Sequence, residues 1–382
     1  MIKFNKLYDG RKISTIGFGL YKGEISKSYD DQLIKAINYG IAKGINVIDT
    51  AQKYRNGRSE KILKRVKKLK NDRENFIIIS KAGLIPEYVK KSNILKKLNV
   101  KKNNCFMQND FCIDPKYIDW SLDNSLKLMG TKYIDFYLLH NPEYALFLKD
   151  GYKKIFNIFE LLEKKKSEGK ILYYGIATWS GLRRYKSNKY RLNLSKIFKH
   201  LEKKFGVNHG LRCLEAPLSI GMPDILNYKI SKGNNLFNFL IKKKVNFFTS
   251  ATLYEGNLEK LSNLNKIYNL TMLSKDSHNE YSPIDISFPK SENSIRRFFI
   301  LLENYRKNNL SLNYLSKNLS KFKNIFGLAI NFIKIFDNTK SNLIGMEQKE
   351  YVTNNIKEYN YNLKNKDVKL IKKIWKKIKN NL

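Results

Sequence analysis

The chain has 382 residues and a mass of 44.9 kDa, and 73 Lys and Arg against 34 Asp and Glu give a formal net charge of +39. Its hydrophobic content of 42% and aromatic content of 13% exclude a chain that is disordered over its whole length. The sequence has no apolar run of about 18 residues and no apolar core near its N-terminus, so we expect neither a membrane span nor a secretory signal. Because 61 of the basic residues are lysine, 12 are arginine and all are dispersed, we expect no specific nucleic-acid partner.

The predicted elements begin with a short hairpin, in which residues 2–4 and 12–14 flank the turn Asp9-Gly10. Short apolar runs then alternate with helical stretches such as 31–43 and 60–70. Several of these runs are apolar at every position instead of switching between apolar and polar residues, as is typical of parallel strands buried on both faces. The predicted strands are 15–20, 45–50, 76–81, 133–140, 171–177, 211–214, 245–250 and 342–345. Eight strands alternating with helices predict an α/β fold, a (β/α)8 TIM barrel that forms one domain over residues 1–382, with its core at about 13–356.

Two intervals are too long for simple connections. Residues 82–119 are predicted to form a long loop at the catalytic face, and residues 262–319 to form extra helices and a lid, or to be disordered in part. The first loop holds Cys105 and Cys112, which we expect to be bystanders rather than redox partners. With Cys213 they make three cysteines, without a histidine at metal spacing, which is typical of a reducing, cytoplasmic compartment and indicates neither a disulfide scaffold nor a metal site.

The most basic tract lies near the end of the chain, at residues 364–380. Its apolar positions Leu370, Ile374 and Ile378 recur every fourth residue. This spacing predicts an amphipathic C-terminal helix that docks on the body of the protein. Binding to a membrane surface is the alternative interpretation.

Polar side chains stand where several predicted strands end. Strand two ends at Asp49, with Tyr54 shortly after it, strand three ends at Lys81, and strand four ends at His140. The carboxyl ends of barrel strands face the active site, so we expect these four side chains to converge. Together they can reduce a carbonyl by hydride transfer. The phenol gives a proton to the developing alkoxide, the ammonium lowers the pKa of the phenol, the carboxylate fixes the ammonium, and the imidazole orients the substrate oxygen.

In these segments the chain resembles the aldo-keto reductase family, bacterial-type members in particular. The matching segments are 44–51, 54–60, 80–81, 133–142, 169–175 and 345–355. The resemblance implies a (β/α)8 barrel that uses NADP or NAD and no metal. It also implies a catalytic tetrad of Asp49, Lys81, His140 and Tyr54, with Tyr54 as the general acid.

The resemblance further implies a cofactor site. Where the family has Ser-Asn after strand five, this chain has Ala177 and Thr178, and Thr178 can still offer a hydroxyl. The family's strand-six glutamine corresponds to Glu215, which accepts hydrogen bonds but cannot donate them and which favours a cationic, oxidised nicotinamide. The family's ring-stacking aromatic corresponds to Ser250. Residues of the loop that often covers the pyrophosphate are matched by Leu253, Gly256 and Leu258.

The last matching segment bears on the choice between NADP and NAD. After Gly345, the carboxylate of Glu347 opposes a 2′-phosphate, whereas Lys349 favours one. Glu350 and Asn355 match residues that contact the adenine in the family. The family and the positive charge favour NADPH, and Glu347 favours NADH.

The first hypothesis is therefore an NAD(P)H-dependent oxidoreductase that interconverts a small carbonyl compound, an aldehyde, ketone or sugar, and its alcohol. A sugar dehydrogenase that works in the oxidative direction is one alternative. A weakly catalytic, cofactor-binding scaffold is another, motivated by Ala177, Glu215 and Ser250. A nucleic-acid-binding barrel is a further hypothesis and depends on charge alone.

Overall fold

The computed structural model describes residues 2–183, 189–219, 224–231, 234–253, 325–336 and 338–361, with isolated positions from 364 to 372. The chain divides into two compact units. The first comprises Met1–Pro217, Asp224–Ser250 and Asn338–Asn354, and the second comprises Leu218–Pro223, Ala251–Asp337 and Asn355–Leu382. The single domain expected over residues 1–382 stays a prediction.

In the first unit, parallel strands form a closed barrel. They follow one another round the barrel in chain order, and the last pairs with the first. The strands are β3 (Ile16–Gly19), β4 (Val47–Asp49), β5 (Ile77–Ala82), β8 (Ile134–His140), β9 (Ile171–Ala177), β10 (Leu211–Pro217), β13 (Asn246–Ser250) and β14 (Thr339–Ile344). The predicted (β/α)8 barrel is confirmed, because each predicted strand coincides with one of these.

In the described part of the chain, three antiparallel pairs lie outside the barrel: β1 (Phe4–Lys6) with β2 (Lys12–Ser14), β6 (Cys105–Phe106) with β7 (Phe111–Cys112), and β11 (Lys229–Ser231) with β12 (Asn234–Asn235). The first pair is the predicted N-terminal hairpin, but its first strand lies two residues later than expected. The five-residue turn between its strands closes with a hydrogen bond from Leu7 N to Arg11 O, so pairing starts directly before Leu7.

This hairpin closes the amino-terminal end of the barrel. Leu7 and Ile13 are buried in the core cluster with residues of the barrel strands such as Val47 and Phe248. Burial of two such side chains contributes about 1.5–3 kcal/mol each. Asn5 Nδ2 also donates to the carbonyl of Lys340 in β14 over 2.9 Å. The barrel interior is therefore sealed at this end, and the polar strand ends lie at the other.

The helices are α1 (Lys27–Ala42), α2 (Arg58–Lys61), α3 (Lys67–Asn71), α4 (Glu87–Lys90), α5 (Ile94–Lys97), α6 (Pro115–Met129), α7 (Gly151–Ser167), α8 (Leu194–Phe205), α9 (Leu236–Lys242), α10 (Ile325–Ile333) and α11 (Lys349–Asn360). The helix expected at 31–43 begins earlier because Ser26 caps α1 by accepting from Tyr29 N. The stretch 60–70 is not one helix, because the buried Val66 adopts an extended conformation and separates α2 from α3. None of the described helices is long and apolar enough to cross a membrane.

In the second unit, α10 is joined to the end of α11 by hydrogen bonds. Asn331 Nδ2 donates to Glu358 O over 3.2 Å, and Lys334 Nζ donates to Tyr359 O over 2.9 Å. The interval 262–319 lies outside the described residues, as does most of the basic tract 364–380. The lid and the C-terminal helix expected there therefore stay predictions.

Candidate active site

The four residues expected to form the tetrad all lie in the first unit, at or just beyond the carboxyl ends of neighbouring strands. Asp49 is the last residue of β4, Lys81 is the penultimate residue of β5, and His140 is the last residue of β8. Strand pairing extends to these ends, since Lys81 lies opposite Leu138 and His140 lies opposite Ala177. The long loop expected at this face is present between β5 and α6, where α4, α5 and the β6–β7 pair interrupt it.

Tyr54 is held by an unusual turn after β4. It begins a 3₁₀ helix, Tyr54–Gly57, in which Arg55 and Asn56 adopt left-handed conformations with φ of 47° and 56°. Such a conformation costs a non-glycine residue roughly 1–2 kcal/mol. Contacts to other segments offset that cost. Arg55 forms a buried ion pair with Asp30 and donates to the carbonyl of Glu24, and Asn56 Oδ1 accepts from a backbone N–H of α4. The tyrosine ring is therefore fixed from both sides of the turn.

Lys81 is the centre of the charged cluster. Its fully buried ammonium donates to the Asp49 carboxylate and to the carbonyl of Thr50 over 3.2 Å. Glu215, in β10, places its Oε2 atom 3.2 Å from Lys81 Nζ, so one ammonium is paired with two carboxylates. The same Nζ lies 4.8 Å from the centroid of the Tyr54 ring. The ammonium therefore contacts both the acid and the ring of the phenol.

Burial and charge set the proton affinities of this cluster. Burial lowers the pKa of Lys81, but the carboxylates of Asp49 and Glu215 outweigh it, so the pKa is raised and the ammonium stays protonated. Burial and then the charge of Glu215 raise the pKa of Asp49, against the opposing effect of Lys81. Burial also raises the pKa of Tyr54, while Lys81 draws it back down. Tyr54 therefore keeps its proton at neutral pH and is able to donate it.

His140 stands next to the phenol. Its ring centroid lies 5.9 Å from that of Tyr54, with the rings nearly perpendicular, and Tyr21 makes a similar edge contact at 5.2 Å. Burial, and then the charges of Lys81 and Lys53, lower the pKa of His140. The imidazole is therefore neutral at neutral pH and has one N–H to donate. An oxygen that reaches both Tyr54 and His140 would accept two hydrogen bonds.

The loop after β9 is organised by an acid that we did not assign from the sequence. Glu143 Oε1 accepts from the backbone N–H groups of Trp179, Ser180 and Gly181 over 2.8–3.1 Å. Its Oε2 accepts from the hydroxyl of Thr178 over 2.8 Å. The single hydroxyl proton of Thr178 is therefore committed to Glu143 in this structure, and the place of Thr178 in a cofactor site stays a prediction. The local signal for Glu143 is only a carboxylate directly after the Asn-Pro pair that follows β8, since its partners lie more than 30 residues away.

The remaining expected cofactor contacts are distributed over both units. Ser250 ends β13 and is half-buried, opposite Pro217 of β10. Leu253 and Asn355 belong to the second unit, and Gly256 and Leu258 lie outside the described residues.

The segment after β14 places Glu347 against Gly345. The Glu347 Oε1 atom lies 3.1 Å from the position that a Cβ on Gly345 would take. Burial raises the pKa of Tyr29 to about 12, and the charge of Glu347 contributes to that rise. Lys349 turns its Nζ toward the ring of Tyr39, at 5.9 Å, and Glu350 is exposed in the first turn of α11.

The two cysteines of the long loop are paired, which corrects their assignment as bystanders. Cys105 and Cys112 lie opposite each other in β6 and β7, with their Cα atoms 4.0 Å apart, and form a disulfide. Cys112 N also donates to Gly83 O over 2.8 Å, so the crosslinked pair is tied to the segment that follows Lys81. Cys213 is free and buried. The cysteine count therefore does not indicate a reducing compartment.

A second buried acid lies beside the strand that carries Lys81. Glu60, in α2, is fully buried and accepts from Ser80 Oγ over 2.5 Å. Burial raises its pKa to about 7, although hydrogen bonds from Ser80 and Ser125 lower it. Gln52 Nε2 donates to Ser125 Oγ over 2.9 Å, which ties this polar cluster to the segment before Tyr54.

Comparison with known proteins gives a match over most of the chain. The model of the Aldo/keto reductase family matches residues 15–376. An NADH-specific methylglyoxal reductase from Escherichia coli is 32% identical over 134 residues, which are 35% of this chain and 37% of that protein. The chain spans about a third of the length of the curated relatives that it matches.

Solved structures agree in fold along the chain. The holo form of aldo-keto reductase AKR11C1 from Bacillus halodurans has a TM-score of 0.61 at 18% identity, covering 98% of this chain and 96% of that one. An aldo/keto reductase from Klebsiella pneumoniae, solved in complex with NADP and acetate, has a TM-score of 0.55 at 14% identity, with the same coverage of both chains.

Proposed function

Because the chain belongs to the aldo/keto reductase family, we propose that it is an NAD(P)H-dependent oxidoreductase that interconverts a small carbonyl compound and its alcohol by hydride transfer. The observation that carries the proposal is the convergence of Tyr54, Lys81, Asp49 and His140 at one end of the barrel, with Lys81 in contact with both Asp49 and the Tyr54 ring. The substrate class is an aldehyde, ketone or sugar.

In this proposal, Tyr54 and His140 bind the carbonyl oxygen and Tyr54 is the general acid. When bound, a reduced nicotinamide supplies the hydride that adds to the carbonyl carbon. The electron pair of the C=O bond moves to the oxygen, which takes the proton of Tyr54 and becomes a hydroxyl. Lys81 stabilises the phenolate left behind, and Asp49 holds Lys81 in place. Solvent returns a proton to Tyr54.

The residues at this end of the barrel fit a nicotinamide. Glu215 is 5% exposed, and its Oε2 atom makes no hydrogen bond within the described part of the chain. A carboxamide N–H is a suitable donor for that acceptor. Gly345, exposed at the end of β14, offers backbone without a side chain, and Glu347 and Lys349 follow it. We propose NADP(H) first, on the family and the positive charge, and NAD(H) second, because Glu347 opposes a 2′-phosphate.

A titration with NADPH and NADH, followed by a panel of carbonyl compounds, tests the proposal. We expect one or both cofactors to bind and Tyr54→Phe to lower turnover by about 10²–10⁴-fold with cofactor affinity changed by no more than a few-fold. Tyr133→Phe, the same change directly before β8, is the matched control and should leave turnover unchanged. Failure to bind either cofactor would overturn the function. Binding without turnover, unaffected by Tyr54→Phe, would favour the scaffold alternative.

A cytoplasmic location is part of the same proposal, although Cys105 and Cys112 no longer support it because they are paired.

A further inference from the structure

The charge at the barrel mouth is unbalanced. Lys81 carries one positive charge, and both Asp49 and Glu215 are paired with it, the latter over 3.2 Å. All three side chains are buried, with exposed fractions of the residues between 1% and 5%. Water therefore screens the second carboxylate poorly, and the cluster attracts a further positive charge.

The other titratable groups around the cluster do not provide that charge. Tyr54, His140 and Cys213 are neutral at neutral pH, because burial raises the pKa of the phenol and of the thiol and lowers the pKa of the imidazole. Glu60 is itself an acid, and Lys53 is paired with a carboxylate outside the cluster at 2.8 Å. Within the described residues, the cluster therefore lacks a second neighbouring cation.

A proton is one way to compensate the second carboxylate. Burial and then the charge of Glu215 raise the pKa of Asp49, so this carboxyl group binds a proton more readily than an ordinary aspartate. A fixed cation beside the pair would favour the doubly ionised form and release that proton.

The reaction itself creates such a cation. A reduced nicotinamide ring is neutral, whereas the oxidised ring carries one positive charge. The ring that donates a hydride must lie beside the carbon whose oxygen Tyr54 and His140 hold, and Lys81 Nζ lies 4.8 Å from the centroid of the Tyr54 ring and 3.2 Å from Glu215.

We propose that Glu215 is a specificity-determining residue that makes this site bind the oxidised nicotinamide more tightly than the reduced one and thereby assists hydride donation to the carbonyl. The inference rests on the proposed function. Positive charge grows on the ring as the hydride leaves, so a fixed carboxylate stabilises the transition state as well as the product. The same charge makes hydride uptake from an alcohol less favourable, which opposes the sugar dehydrogenase alternative. It also predicts strong inhibition by the oxidised cofactor.

The size of the effect follows from electrostatics. At an effective dielectric constant of about 20, a unit charge about 8 Å away gives a preference of roughly 30-fold, and the free energy needed to release the proton from the acid pair reduces it. We therefore expect about a tenfold contribution of Glu215 to the ratio of the two dissociation constants.

The test measures dissociation constants of the oxidised and reduced forms of whichever dinucleotide binds, by calorimetry at neutral pH in two buffers of different ionisation enthalpy. For the full-length wild type we expect the oxidised form to bind at least as tightly as the reduced form, with proton release for the oxidised form alone. Glu215→Gln should lower the preference for the oxidised form about tenfold and abolish proton release. Glu202→Gln, the same change in an acid paired with Lys243 at the opposite end of the barrel, is the matched control and should change neither.

The outcomes separate the inference from the function on which it rests. If both forms bind the wild type and Glu215→Gln leaves their ratio unchanged, the inference is wrong and the oxidoreductase proposal stands. If neither form binds the wild type, both are wrong. If Glu215→Gln does not fold, Glu215→Met removes the same charge. In addition, a wild type that binds the reduced form more tightly contradicts the inference without any variant.

Discussion

Replacing Glu60 by glutamine tests whether the buried acid beside β5 makes stability depend on pH. Glu60 is fully buried, and its pKa is raised from an ordinary value of 4.5 to about 7. In the unfolded chain it releases its proton near the ordinary value, whereas the folded protein retains the proton up to about 7. Between these values the folded state binds more protons, so the free energy of unfolding falls as pH rises. At 1.36 kcal/mol per pH unit, the loss amounts to about 3 kcal/mol.

Glutamine keeps the shape and still accepts from Ser80, but it does not titrate. The free energy of unfolding, from urea denaturation at about pH 5 and about pH 8, should therefore fall by about 3 kcal/mol more in the wild type than in Glu60→Gln. Glu163→Gln is the matched control, since hydrogen bonds from Gly210 and Tyr174 outweigh burial and lower the pKa of Glu163. That carboxylate contributes stability that is lost at low pH, so its removal should not reproduce the effect. Equal pH dependence in wild type and Glu60→Gln would refute the reasoning.

Three further predictions follow from contacts around the site. Glu143→Ala leaves the backbone N–H of Ser180 without its acceptor and removes one of the two acceptors of Trp179 N and Gly181 N, so it should lower the free energy of unfolding by about 3 kcal/mol. Glu143→Gln, whose amide oxygen still accepts, should lower it by about 1 kcal/mol, and equal losses would contradict this account. Cys105→Ser opens an eight-residue covalent loop and should lower unfolding stability by about 2 kcal/mol without reductant and by little with it, so an identical loss in both conditions would argue against the disulfide. Glu347→Lys should raise the affinity for NADPH relative to NADH in a fluorescence titration, and an unchanged ratio would remove Glu347 from the 2′ position. Glu74→Lys, the same charge change at an exposed residue just before β5, is the control.

The fold and the charged cluster follow closely from local sequence patterns. Apolar runs that end in polar residues mark both the strand and the side chains near its carboxyl end, as at Asp49 and at Ser80-Lys81. The carboxyl ends of parallel barrel strands all lie at one end of the barrel. Such residues are therefore expected to lie close together even when their individual contacts are unknown. Even so, the pattern does not show that Glu215 lies within 3.2 Å of Lys81, 134 positions away in the chain, because that distance depends on side-chain conformation.

Other features depend on tertiary contacts that local patterns do not encode. The pairing of Cys105 with Cys112 arises from two-residue strands within a long loop, which are too short to show any periodicity. The break in the helix expected at 60–70 arises because Val66 is buried in an extended conformation, although its neighbours suit a helix.

The loop after β9 has a consequence for the kind of ligand that this end of the barrel accepts. Successive backbone N–H groups that converge on one point form a nest, a concavity that binds anions. In this chain Glu143 fills the nest formed by Trp179, Ser180 and Gly181. These backbone N–H groups are therefore not available to a phosphate or carboxylate group on a substrate. The charge of an acidic substrate would have to be neutralised by side chains elsewhere.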